Sequence, residues 1–236
     1  MKVWAEIFEL PAYSPHIQDW AVEAVLAFRA EINHTRSQLD IHGVPQELTS
    51  SVFVGLKDWA NPATADHQWG QTKANISGPQ FALVLSWSVW VLQKFGEPEI
   101  EQHQFESIQK HLSELEELLK DNEIPPAIRS FVQQQVDTTR NALRMYPIQG
   151  VRALRKAVES ATGAFAVPSD ELVEEAKQAT PATRGVIKKS LEVLKETSEA
   201  VGHAEKLFRV FDKLMDATPS LKEIGHSVMN TLGGGS

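Results

Sequence analysis

Proline spacing constrains this chain more than any other feature. Each proline lacks a backbone N–H and holds φ near −65°, which suits the first turn of a helix and little else inside one. Of the twelve prolines, Pro15, Pro45, Pro79, Pro98, Pro126, Pro168, Pro181 and Pro219 stand just ahead of stretches whose apolar residues recur every three or four positions. Ser14, Thr180 and Thr218 precede three of them and offer a side-chain oxygen to the exposed N–H groups of a first turn. The chain is thereby cut into helix-sized pieces.

Reading along those pieces, Val3, Trp4, Ile7, Phe8 and Leu10 predict a short first helix. Ile17, Trp20, Ala21, Ala24, Phe28 and Ile32 step along one face of a second, which Gly43 ends. Leu48, Val52, Leu56 and Trp59 share a face of a third. Residues 61–79 carry turn signals and no period, the pattern of a functional loop or of a linker. Phe81–Phe95 is the most apolar stretch. As a helix it rises only ~22 Å against a hydrocarbon layer of ~30 Å, so no transmembrane segment is expected. It reads as a buried core helix closed by Gly96 in a left-handed C′ conformation, with a re-entrant membrane segment as the lesser alternative.

A helical hairpin over 98–146 follows. Ile108, Leu112, Leu115 and Leu119 form the seam of its first arm, and Ile128, Val132, Val136 and Leu143 that of its second. Pro147 and Gly150 are expected to interrupt the return helix before Val151, Leu154, Val158, Ala161 and Phe165 resume the pattern. After Val167 all tryptophan is gone, a short polar helix begins at Ser169, and a long stripe runs from Ile187 to Met215, with Gly202 as a possible bend. Thr218-Pro219 opens a last helix through Leu232.

The expected fold is all-α, a multi-helix bundle of about nine helices with a long amphipathic C-terminal helix. Residues 1–166 are read as a helical core domain and 167–232 as a helical C-terminal part. Gly233–Ser236 reads as an appended linker, and a natural chain could continue past Leu232 in its place.

A hydrophobic fraction of 42% and a charged fraction of 23% fit an ordinary globular chain. The net charge of −8 argues against nucleic acid as a partner, since phosphate binding needs a basic face. With no cysteine, disulfides, thiolate catalysis and Cys-based zinc sites are excluded. The N-terminal residues lack a signal-peptide core, and a cytoplasmic location is expected; the glycosylation patterns at Asn33 and Asn75 then count as chance.

The sharpest chemical feature is charge separation. Nine carboxylates lie between Glu97 and Glu123 against Lys110 and Lys120, whereas Arg129, Arg140, Arg144, Arg152, Arg155 and Lys156 follow with Asp137 the one acid among them. Arg140 and Arg144, like Arg152 and Lys156, are four apart and share a helical face. Arg140, Arg144, Arg152, Arg155 and Lys156 are therefore the candidate ligand- or partner-binding residues, the arginines able to grip an anion bidentately. The favoured reading is plainer: hairpin arms of opposite charge face each other.

Glu31-x-x-His34 and Glu223-x-x-His226 match half of a di-iron bundle motif, but lack partner glutamates from intervening helices, and two matches are what chance supplies; no metal or cofactor is expected. His103 and His111 are expected to be solvated on the acidic helix. His67, beside Asp66 and Trp69, is the best single loop candidate. No nucleophile elbow, phosphate-binding loop or His-Glu-x-x-His is present.

The function expected is that of a non-catalytic cytosolic interaction protein, binding a partner protein or a second copy through amphipathic helices. An immunity, antitoxin or defence-system role is the fold-level analogy. The alternatives are an anion- or nucleotide-sensing module of a larger, membrane-linked effector and, less favoured, a helical metalloenzyme.

Overall fold

The computed structural model describes residues 2–11, 14–64, 78–96 and 99–202. Among them are nine α-helices and no strand: α1 (Lys2–Ile7), α2 (Ile17–Ile41), α3 (Gln46–Trp59), α4 (Pro79–Leu92), α5 (Gln102–Leu118), α6 (Pro126–Gln149), α7 (Val151–Ala166), α8 (Asp170–Lys177) and α9 (Pro181–Ala200). The all-α expectation holds. His67, most of the 61–79 loop, the stripe beyond Gly202 and the helix expected from Pro219 lie outside the described residues.

The chain forms two compact units. One comprises Met1–Glu97 with Pro147–Gln149, and the other the remaining described residues. The change of texture after Val167 falls within the second unit.

In the first unit, α1 packs on α2, α2 on α3, and α4 on both α2 and α3. Trp4, Val25, Ile32, Leu39, Val52, Phe53 and Leu56 form the centre. Trp4 lies 4.5 Å from Trp59 between ring centroids, and Phe28 meets Trp59 edge-on at 5.9 Å. Such ring pairs add ~0.5–1.5 kcal/mol each beyond their area. Arg29 on α2 donates to the carbonyls of Lys57 and Ala60, the latter at 3.0 Å, and so caps the end of α3.

In the second unit, α9 lies against α5 and α7. Ile108, Leu112 and Leu115 of α5, Leu154 and Val158 of α7, and Val186, Leu191 and Leu194 of α9 are buried. Phe131 of α6 meets Phe165 of α7 edge-on at 4.8 Å. Arg129 donates to the carbonyls of Leu119, Asp121 and Ile124, fastening the turn between α5 and α6.

Several local expectations hold. Pro79, Pro126 and Pro181 stand in first turns, and Thr180 Oγ1 accepts from the N–H of Thr183 at 3.2 Å. Others are corrected. Pro147 does not interrupt α6, which runs through it to Gln149; the break comes at Gly150, where φ is +58°. Proline's φ is itself helical, so one lost hydrogen bond is tolerated near a helix end. Gly96 is not left-handed (φ −59°, ψ 144°), because a short 3-10 turn over Gln93–Phe95 already finishes α4. Helix α9 stops at Ala200, and Gly202 takes a left-handed φ of +71°, in keeping with the bend the sequence allowed there.

Helix α4 is the largest correction. Expected as a buried core helix, it buries only Val84 and Ser88. The reason is geometric: its apolar residues run round the whole circumference, and two neighbours cover one stripe. That stripe depends on Gly55 of α3, where a β-carbon would stand 2.9 Å from the ring tip of Phe81.

Gly55→Leu is expected to destabilise the first unit by ~1–3 kcal/mol through overpacking. Gly55→Ala should stay near neutral, as the ring tip shifts slightly and helix propensity improves by ~1 kcal/mol. All six tryptophans lie before residue 91, so urea unfolding followed by tryptophan emission reads this unit selectively. Equal midpoints for Gly55→Leu and the parent chain would refute the close contact.

Candidate functional site

Two regions compete as the working surface: the charged hairpin and the outer face of α4. On the hairpin, Arg140 reaches across from α6 to α5, placing Nε 2.5 Å from Glu116 Oε1 and a terminal nitrogen 2.6 Å from Oε2. The same guanidinium donates to Ser113 Oγ at 3.1 Å. This two-pronged pair joins arms of opposite charge. Arg144, one turn on, donates to Asn141 Oδ1 on its own helix at 2.9 Å. Arg152 and Arg155 sit half-buried on α7, where each engages a neighbour, and Lys156 is exposed beside them. Gly150 separates the α6 pair from the α7 trio.

The acidic helix has a second counterpart that periodicity does not reveal. Lys189 of α9 places Nζ 2.5 Å from Glu114 Oε2, and His111 Nδ1 lies 2.6 Å from Glu196 Oε2. His111 is therefore not a solvated side chain as expected; it is half-buried in the α5–α9 contact. His103 does remain exposed, 3.0 Å from Glu101. These pairs flank the buried leucines and fix how α9 lies along α5. A sequence signal exists in Lys189 and Glu192 on one side of the α9 stripe, but nothing in the spacing names α5 as the helix they meet.

The hydrogen bond from Lys189 holds the Glu114 carboxyl below its ordinary range, with the nearby charges of Lys189, His111 and Lys110 acting in the same direction and partial burial opposing them. A carboxyl lowered by folding contributes stability above its unfolded pKa, and the contribution disappears as pH falls through the folded value. In Lys189→Met the Glu114 titration midpoint, followed by carbon NMR of the side-chain carboxyl, should move up toward that of an unpaired glutamate. An unmoved midpoint would show that Lys189 is not the cause.

The outer face of α4 is different in kind. Leu83, Trp87, Val89 and Trp90 are 53%, 58%, 65% and 62% exposed. Leu83, Ser86, Trp87 and Trp90 follow i, i+3, i+4 and i+7 spacing, so they form one outward stripe. Lys94 Nζ lies 5.2 Å from the Trp90 ring, within cation–π range. Beside the stripe is an apolar cleft of about 770 Å³, lined by Leu39, Val44, Leu48, Val84, Trp87 and Trp90 among others. Among the described residues, the side-chain polar atoms along it are hydroxyls and the indole N–H groups. Among the described residues lining it, no opposed titratable groups of the kind that acid–base chemistry uses are present.

Two further cavities lie in the second unit. A pocket of about 40 Å³ beneath α8, walled by Phe131, Phe165, Leu172 and Ile187, is far below the size of a small-molecule site. A broad trough of about 1170 Å³ at the α5–α6 turn mixes Glu116, Lys120, Arg129 and Asp137. None of Arg140, Arg144, Arg152, Arg155 and Lys156 lines any of these three cavities. Among the described residues no three His, Asp or Glu side chains converge as a metal site, and Glu223 and His226 lie outside them. Among the same residues no helix is long and apolar enough to cross a membrane.

No protein-family model, curated protein or solved structure matches this chain.

Proposed function

We propose that this chain is a non-catalytic helical interaction protein of the cytoplasm, which acts by seating a partner protein on the outward face of α4. The observation that carries the reading is the exposure of Trp87 and Trp90 on an uncharged helix. At ~150–250 Å² per aromatic side chain, their exposed parts alone come to roughly 250 Å². Leu83, Leu85 and Val89 extend the patch toward the upper end of the ~300–600 Å² that marks the largest apolar patch of a typical monomer. Exposed tryptophan is also the residue type most enriched among side chains that dominate binding energy.

Among the described residues, part of the surface expected from the sequence to meet a partner is engaged within the second unit. Glu116 takes Arg140, and the α9 stripe is buried on α5 and α7. That supports α4 over the hairpin as the docking element, and it favours a binding role over anion sensing. An immunity, antitoxin or defence role remains an analogy at the level of fold.

The test is capture from the native cell with two baits, the parent chain and a Trp87→Asp/Trp90→Asp variant whose circular dichroism matches it. A protein retained by the first and lost from the second is expected. Equal retention on both baits, or no retention on either when the bait is monomeric, would remove the reading.

A further inference from the structure

Resting on that reading, we infer that the occupant of the α4 face is a second copy of this chain, docked across a two-fold axis that passes near Ser86. Charge is the first argument. Residues 74–93 form the longest run in the chain without a charged side chain, and α4 lies within it. Two chains of net charge −8 repel each other, so like copies meet at lowest cost where neither presents charge. A foreign partner, by contrast, is selected and steered by complementary charge at the rim of its site, and α4 itself carries no charged residue, Lys94 following in the turn after it.

Shape is the second argument. A two-fold interface uses the same patch twice, so that patch must supply both a projection and a recess. Here the Trp87–Trp90 edge projects, and the cleft beside it, floored by Leu39, Val44 and Val84, is apolar. Ser86 lies midway along the stripe, and its small side chain lets two helices approach closely.

Area is the third. Two such patches together bury ~1,000 Å² before any rim is counted, the threshold for a specific interface, and homodimer interfaces are the more apolar class. A bilayer surface fits less well. Interfacial helices carry several Lys or Arg on their polar side, and an anionic leaflet repels an acidic chain.

Sedimentation velocity over ~1 to ~100 µM tests this directly. The parent chain should approach twice its 26.3 kDa mass. Trp90→Asp, checked for unchanged helix content, should weaken the dimer at least ~30-fold, as loss of a central anchor does. Because the chain has no cysteine, Ser86→Cys supplies a single thiol. On mild oxidation it should cross-link two copies, whereas Ser160→Cys, exposed on α7, should not. A parent chain that stays at single mass throughout overturns the inference, as does a dimer unaffected by Trp90→Asp or a monomer that floats with phosphatidylcholine vesicles. A monomer that still captures another protein through Trp87 and Trp90 overturns the second copy and leaves the docking reading standing. A monomer that captures nothing removes both.

Discussion

Burial of a helix face against neighbouring helices is the interaction on which everything else in this protein depends. With no cysteine available for cross-links, apolar contact at ~25 cal/mol per Å² does most to hold the helices together. In the second unit that requirement is met by α9, which covers α5 and α7 at once. Its buried Val186, Leu191 and Leu194 face the buried stripes of both, so removing α9 would expose two other helices as well as its own apolar face. In the first unit, α1, α2 and α3 close round Trp4, Phe53 and Trp59, and α4 is held along a single stripe.

Around those apolar seams the polar groups do a different job. Arg29 and Arg129 each reach to the carboxyl end of a helix and satisfy carbonyls that have no partner within it. Glu175 of α8 accepts the N–H of Ile128 in the first turn of α6, at 3.0 Å, the same device at the opposite pole. The positive charge that resembles a binding strip is thus partly used on the protein itself, with Arg129 on a turn and Arg140 on Glu116. The Arg140–Glu116 pair is two-pronged and part-buried, so it adds up to ~1 kcal/mol, and a slipped helix register forfeits that amount.

Helix positions are legible in the sequence because each rests on local chemistry: a proline or hydroxyl at the start, a three-to-four apolar period, a glycine at the stop. Gly43 and Gly150 end helices as a positive φ requires. What stays illegible is which face finds which neighbour. Apolar composition and short length assign Phe81–Phe95 to the core, but a helix that is apolar all round carries no information about which side is covered. His111 escapes a sequence reading for the converse reason. Its own helix places it on the polar side, and its burial comes from α9, some eighty residues later in the chain.

The contrast between those two surfaces bears on what each is for. The α5–α9 seam is bordered by the Lys189–Glu114 ion pair and the His111–Glu196 polar contact, which penalise shifted packing, so its apolar residues have one partner. The α4 stripe has Lys94 at one end and no charge along its length. Apolar contact by itself is permissive, and a bare apolar helix accepts many surfaces of fitting shape. On the docking reading proposed above, selectivity at α4 would come from the form of the Trp87–Trp90 edge and its cleft, and a surface that matches itself is the simplest occupant to specify.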